Sequence, residues 1–528
     1  MTPFKSRTGR SVAAVIGSVA IAVSLVACAG SADNADPSPT SQGPSGEPVE
    51  GGVITAAQIS APRNLDPAIL MNASQGNPLL GNALYGTLMI SDETTGEIEY
   101  SIATDFSSTD GGKTFTLTLR DDVTFSDGTP LDAEAVKYNW DRLKDETLAS
   151  NSLNDATAVE STAVVDAQTL TVVLGRPAPF FGTQVLESSM NWIASPAALE
   201  GGQAAFDANP IGAGPFVLKS WTRGGTIELV KNDSYWDAPR PYLDGITITT
   251  ADNAQQRVNA VVTGDVDLAS ENDWLAVEKA EQASLQVEIE AQAGGQFLAL
   301  NTAAAPFDDA KVREAVSKAI DIEALNTALF GSAAEPATTL FPESSPLYND
   351  VALHEFDPEA AQELFDEIAA DGAPVEFTFT VFKGSEALGE AVQAQLSLLK
   401  NVTAKIEIAD WSETGRILGQ REYQMTLAAT NFVDPEPTLF NAFHSEARRN
   451  ATGIKDAELD EGLLGGRSAE DVDGRVEAYT LVAERIAALN HAIYYTRAAQ
   501  VAVASEAVGG IDLYGRGSVL ADRLWVQK

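Results

Sequence analysis

One cysteine, Cys28, stands in a chain of 528 residues. A disulfide framework is therefore excluded, and so is any zinc site that needs two thiolates. A chain this long must hold together by burying apolar surface, and at 44% hydrophobic it has the means. At about 150 residues per domain, the length points to three or more domains. Charge narrows the function further, because 75 acidic residues face 34 basic ones, a net of −41. Nucleic acid is excluded as the main partner, since its binding draws on Lys and Arg against phosphates. The apolar content also excludes a disordered acidic tail.

The position of the cysteine is informative. Lys5, Arg7 and Arg10 precede an uncharged stretch from Ser11 to Ala27, which ends in Leu25-Val26-Ala27-Cys28. Basic, then apolar, then small is the order of a secretory signal peptide. The stretch is short for a membrane span, which needs roughly 20 residues. Leu-x-Ala-Cys resembles the lipobox of bacterial lipoproteins, and that resemblance implies lipidation of Cys28 with cleavage before it. An ordinary signal peptide with a chance cysteine, or an uncleaved anchor, are the alternatives. Arg7 and Arg10 are not adjacent, so no twin-arginine signal is present. Residues 29–50 hold four Pro, four Ser and three Gly, the composition of a flexible tether. The rest of the chain has no run of 18 apolar residues, so a soluble body held to the membrane by acyl chains is expected.

Periodicity gives the organisation of that body. Gly52 to Gln58 reads as a first strand. Phe115, Leu117 and Leu119 alternate with Thr114, Thr116 and Thr118 as in a half-buried strand. Asp127-Gly128 supplies a turn, and Asp132 stands where a helix N-cap would, before Val136, Trp140 and Leu143 on one face. Strands are expected at 169–174, 216–221, 226–231 and 245–250, with a short helix over 253–262. Beyond Asp308 or Asp309, a capping position, helices at 358–370, 385–399 and 472–489 mix with strands at 376–381, 403–408, 492–496 and 501–504. No fixed-period repeat is present. The class is α/β with several lobes.

Catalytic patterns are incomplete. Gly111-Gly112-Lys113-Thr114 has the end of a P-loop, but Ser107 stands where its first glycine belongs, so a hairpin turn is expected. Gly212-Ala213-Gly214 has Val217 at the third glycine position of a dinucleotide loop. Ser397-Leu398-Leu399-Lys400 matches Ser-x-x-Lys, yet neither Ser-Asp-Asn nor Lys-Thr-Gly occurs. His354, His444 and His491 are too dispersed for a local metal motif, and His444 is the one plausible donor. Asp471-Val472-Asp473-Gly474 lacks the first ligand of a calcium loop and reads as a helix start. No enzyme activity, cofactor or metal site is expected.

Five segments in order carry a resemblance. They are Asp110 to Arg120 running into Val123 to Val136; Asn209 to Phe216; Asn232-Asp233-Ser234-Tyr235-Trp236; Gly264-Asp265-Val266-Asp267; and Asn301 with Pro306 to Val316. Across residues 51 to 520 the chain resembles the extracytoplasmic solute-binding proteins of peptide/nickel-type ABC importers, bacterial family 5. Ala213 replaces the threonine common between those glycines. The resemblance implies a periplasmic-binding-protein-like α/β fold of the three-domain, type II class, with two main lobes, a hinge and an inserted domain. Domain I would comprise 51–90, 212–293 and 505–528, domain II 91–211 and domain III 294–504, behind a signal segment 1–28 and a tether 29–50.

It also implies partners and site residues. The partners are a small solute of peptide-like chemistry, the membrane subunits of an ABC permease, and the extracytoplasmic face of the bacterial membrane through the lipid on Cys28. Solute would bind between domains I and III. Met71-Asn72-Ala73 corresponds to a strip that contacts ligand, and some relatives carry an acidic residue at the place of Met71. In Thr430-Asn431-Phe432-Val433-Asp434-Pro435, Asn431 stands where peptide binders place an aspartate for the ligand ammonium, and Ala428 where they place a tryptophan. Asp434 is an alternative anchor, and Phe432 lies between. A neutral side chain at 431 weakens a charge-assisted bond, and alanine at 428 removes an aromatic wall. Trp274, Phe297, Trp411 and Tyr495 are candidate cleft aromatics, each with core packing as its other reading. Three alternatives stand beside the peptide: a non-peptide solute such as a metal chelate or sugar-like compound, a sensing or chaperone role, and a surface hydrolase.

Overall fold

Alternating strands build three main sheets. In Thr114–Leu119 the three apolar side chains are buried and Thr116 is exposed, as the alternation requires. This strand pairs antiparallel with Ala103–Ser108 and with Thr169–Leu174, and Val159–Val164 completes a four-stranded sheet. Gly111 and Gly112 make the first hairpin turn at φ +70° and +79°, with Asp110 Oδ1 accepting from the Lys113 and Thr114 amides. Asp132 accepts from the Ala135 amide and starts the helix Ala133–Arg142. Its apolar stripe, with Val136 and Trp140, packs in the cluster that covers this sheet. The computed structural model describes residues 44, 46–92, 97–331 and 333–527. Residues 1–43, and with them the expected signal segment, Cys28 and most of the expected tether, lie outside the described residues.

The second sheet has seven strands and the third five. Each is covered on both faces, because successive side chains of its strands enter different cores. Ile54 and Ala56 enter one apolar cluster and Ala57 the other, while Ala502 and Ala504 separate from Val501 and Val503 in the same way. In the five-stranded sheet Phe297 and Ala299 face away from Leu298 and Leu300, and Tyr494 faces away from Ile493 and Tyr495. No helix among the described residues is long and apolar enough to cross a membrane.

Strand direction positions the site. Val53–Gln58, Gly245–Thr250, Leu268–Glu271 and Gln286–Ile289 all run the same way in the seven-stranded sheet. In the five-stranded sheet Val375–Phe382, Val402–Ala409 and Met425–Phe432 are parallel. From Ile289 the chain crosses through 290–292 into the strand Ala293–Leu300, and from Thr496 it returns through 497–500 into Val501–Ala504. The two crossings are tied by the Glu290 amide donating to the Gln500 carbonyl at 2.9 Å. The carboxyl ends of parallel strands in both sheets therefore face the same pair of crossing segments, the place where open α/β sheets leave a crevice.

A buried ion pair fixes one end of the seven-stranded sheet. Arg257 and Glu271 are 1% and 0% exposed, with Arg257 Nε donating to Glu271 Oε2 at 3.2 Å and Nη1 to the Ala251 carbonyl at 2.7 Å. Burial pushes the Glu271 carboxyl up although Arg257 pulls it down. Glu271→Ala would leave the guanidinium buried and unpaired, and a loss of about 3–5 kcal/mol is expected. Urea unfolding followed by circular dichroism measures it; a loss below about 1 kcal/mol would show that water reaches this pair.

Candidate functional site

The crevice beside the crossing segments is built from four directions. From the five-stranded sheet comes the end of Met425–Phe432 and the following turn. Asp434 is 7% exposed and pairs with Arg475, whose Nη2 lies 2.9 Å from Oδ1 and 2.8 Å from Oδ2. Opposite is the end of the helix Phe181–Glu187. The Asp434 amide donates to Glu187 Oε1 at 3.3 Å, and the Arg475 guanidinium lies over the Phe180 ring at 4.1 Å. Glu436 holds Arg467 at 2.6 Å, with Arg176 at 3.9 Å on the other side. The third direction is the loop 71–77, and the fourth is a hairpin near the C-terminus.

That hairpin joins Leu513–Tyr514 to Ser518–Val519 through Gly515-Arg516-Gly517, with both glycines at positive φ. A Cβ at 515 would touch Leu186 and Glu187 at 3.4 and 3.5 Å, and one at 517 would come within 3.0 Å of Gln500. The Ser74 amide donates to the Arg516 carbonyl at 2.9 Å, and Gln292 Nε2 donates to the Gly515 carbonyl at 3.2 Å. Arg516 is thus seated where the loop after the first strand, both crossings and the helix ending at Glu187 meet.

Charge in this place is unusual. Burial pushes the Glu187 carboxyl up to about 8, opposed by Arg516 and reinforced by Asp434 and Asp155. Burial also raises Asp155 to about 6, again opposed by Arg516. Glu436 is raised by burial despite Arg467. Several polar atoms here have no hydrogen-bond partner within the chain: Gln292 Oε1, Asn431 Oδ1, Arg467 Nη2, Arg475 Nε and Arg516 Nε. Buried polar groups are normally paired, which leaves water or a solute as the partner for these atoms.

The residues singled out from the sequence are distributed unevenly around this junction. Asn431 lies at the crevice end of the strand Met425–Phe432 and Asp434 in the turn after it, half-buried and buried respectively. Met71 is half-buried beside Gly76, and Ala73 is fully buried. The Asn72 amide is held inside the protein, donating to the Leu186 carbonyl at 2.8 Å and accepting from Ser518 at 2.5 Å. Ala428 is half-buried opposite Phe297, which packs between Phe443 and Tyr494. Phe432 is buried edge-on to Phe341, and Tyr495 is buried with its hydroxyl on Gln296 Oε1 at 2.7 Å. Trp274 is buried and donates to the Arg497 carbonyl at 3.0 Å, which fastens a helix start to the return crossing. Trp411 is 55% exposed, stacked on Phe382 at the carboxyl edge of the five-stranded sheet. His444 stacks on Phe440 and lies 3.9 Å from Asp460. Among the described residues no group of three or more His, Cys, Asp or Glu is placed to hold a metal ion.

Asp155, Glu187, Gln292 and Arg516 are absent from the sequence-derived set. Glycines flanking Arg516 were the one local signal, and they mark a tight turn without saying what it faces.

Glu187 makes the ligand-free protein sensitive to pH. The unfolded chain releases this proton near 4.5, whereas the folded protein keeps it to about 8. Folding therefore takes up a proton between those values, so this contribution is full below about 4.5 and fades as pH rises towards 8. Glu187→Gln is expected to flatten the decline of Tm from pH 5 to pH 9. Calorimetry of the two proteins side by side measures it; parallel curves would place Glu187 in water.

Comparison with known proteins agrees with this architecture. Residues 97–450, more than half of the chain, match the model of the bacterial extracellular solute-binding proteins, family 5. The glutathione-binding protein GsiB of Salmonella paratyphi A is 30% identical over 287 residues, 54% of this chain and 55% of that protein. The chain thus matches about half the length of such relatives. The periplasmic binding protein DppA of Helicobacter pylori, solved with the peptide STSA, has a TM-score of 0.72 at 22% identity, covering 91% of this chain and 99% of the other. NikA of Brucella suis, solved with Fe(III)-EDTA, has a TM-score of 0.76 at 23% identity, covering 90% and 100%. At those identities the structures establish the fold, a periplasmic-binding-protein-like α/β architecture with several lobes. On the ordered segments, the fold and the family match together, the chain belongs to the bacterial extracellular solute-binding proteins, family 5.

Proposed function

We propose that the chain captures a peptide-like solute outside the cell and delivers it to the membrane subunits of an ABC importer. One observation carries this reading: the carboxyl ends of parallel strands from two sheets face one pair of crossing segments, beside polar atoms that have no partner in the chain. On this reading 51–90, 212–293 and 505–528 form domain I, 91–211 an inserted domain II, and 294–504 domain III. Solute lies between domains I and III, near Met71, Asn431 and Asp434, and closure about the crossings signals the loaded state. A solute touching both lobes favours the closed form by its differential affinity.

The glutathione- and peptide-binding relatives support a peptide-like solute. The chelate bound by the NikA neighbour makes a non-peptide solute the second reading. Cys28, in its lipobox-like setting, would anchor the protein to the membrane through acyl chains.

Two measurements test these statements. Protein purified from its native host, denatured and analysed by mass spectrometry, is expected to release a peptide-like solute. Adding that solute back at 100 times Kd should stabilise the protein by about 2.7 kcal/mol. Absence of any released solute, together with no thermal shift across a peptide pool, would remove the peptide reading. Separately, Cys28→Ser is expected to move the protein from the membrane fraction to the soluble fraction; unchanged membrane association would point to an uncleaved anchor.

A further inference from the structure

Arg516 has an unusual position for an arginine in a chain this acidic. Among the described residues its guanidinium donates no hydrogen bond and has no carboxylate within 4.0 Å. The other buried or half-buried arginines bond carboxylates, as Arg257, Arg475 and Arg497 do, or backbone carbonyls, as Arg313 and Arg421 do. Nor is Arg516 a mobile surface cation, because it is half-buried and its Nε is fully enclosed. Its backbone is clasped by Ser74, and the flanking glycines lie against Glu187 and Gln500.

Its charge reaches Asp155 and Glu187, yet neither comes close enough to pair. An enclosed Nε donor without an acceptor is costly, and a carboxylate bonding Nε and the adjacent Nη in parallel removes that cost. A bare anion is a poor solution here, since negative charge is already costly at this place: burial, reinforced by Asp434 and Asp155, keeps Glu187 protonated to about 8. The neighbouring unpartnered atoms resolve the conflict. Gln292, 1% exposed, has an unpartnered Oε1 while its Nε2 is bonded to Gly515, the residue next to Arg516. Asn431 Oδ1 is likewise unpartnered, and Glu187 accepts through Oε1 only. These are acceptors, and they suit the N–H groups of an ammonium or amide.

We propose that Arg516 anchors a carboxylate of the bound solute, and that the solute is zwitterionic, with a cationic amino group or amide N–H groups turned towards Glu187, Gln292 and Asn431. This rests on the peptide-like reading above and specifies it. The solute carries a free carboxyl end, and the side chain that selects it comes from the C-terminal hairpin.

The test uses a tripeptide pool with free carboxyl ends and the same pool amidated, titrated by thermal shift against wild type, Arg516→Gln and Arg516→Lys. In wild type, amidation should weaken apparent affinity tenfold or more. Arg516→Gln should weaken the free-acid pool by a similar factor and bring the two pools within about twofold of each other. Arg516→Lys should keep part of the preference, because the charge remains and the planar fork is lost. Since the Arg516 guanidinium donates no hydrogen bond within the described residues, Arg516→Gln is expected to fold without solute; should it fail to fold, the wild-type and Arg516→Lys comparisons decide. Equal binding of both pools by wild type, or a preference kept in Arg516→Gln, overturns the Arg516 assignment and leaves the peptide reading standing. Binding of neither pool overturns both.

Discussion

Everything about the site depends on two short connections, 290–292 and 497–500, between the seven-stranded and five-stranded sheets. Each leaves a strand in one sheet and enters a strand in the other, and strands on the two connections pair with one another on both sides. Val501 pairs with Ile289 in one sheet, and Thr496 with Gln296 in the other. Backbone pairing therefore fixes the ends of the crossings, and side chains hold their middles, with Gln292 donating to the Gly515 carbonyl and Arg497 to Glu335 and Thr339. The strand just beyond the first crossing shows how tight the join is. A Cβ on Gly294 would fall 1.8 Å from the Thr430 carbonyl oxygen, and that residue lies at φ +71°. Only glycine satisfies both conditions.

Charge is handled differently on the outside and at the junction. Exposed acids such as Glu376, Glu367 and Asp410 pair with lysines across solvent-facing strands and helices, where each pair contributes little. At the junction, carboxylates are desolvated and the arginines around them are assigned one by one: Arg475 to Asp434, Arg467 to Glu436. The acidic surplus is thus a property of the surface, suited to solubility. At the junction the Arg516 guanidinium, unlike Arg467 and Arg475, has no carboxylate partner among the described residues.

How much was legible in the sequence varied with burial. Thr114–Leu119 and Thr169–Leu174 have one covered face, so their alternation shows; the helix Val472–Leu489 and its cap Asp471 are equally plain. The strands Ala293–Leu300 and Met425–Phe432, central in the five-stranded sheet, escaped the periodicity reading. Both are covered on two faces, which removes alternation, and Gly294-Gly295 looks like a turn until Thr430 is seen beside it. The same held for the site. Asn431 and Asp434 stand out in the sequence through their place in a recognisable segment, whereas Glu187 and Arg516 belong to no such segment.

The sequence by itself determined the local elements, the caps, the family through its ordered segments, and the lack of a complete catalytic motif. These follow from spacing along the chain, which sets which side chains share a face or close a turn. Only the tertiary structure decided which polar groups converge. Asn72 stands in a strip that resembles a ligand contact, and its amide bonds Leu186 and Ser518; Arg516 looks like a turn residue, yet it is a half-buried cation with an enclosed, unpartnered Nε. The physical reason is that pairing and desolvation depend on neighbours hundreds of residues away, and no local pattern records what those neighbours leave unsatisfied.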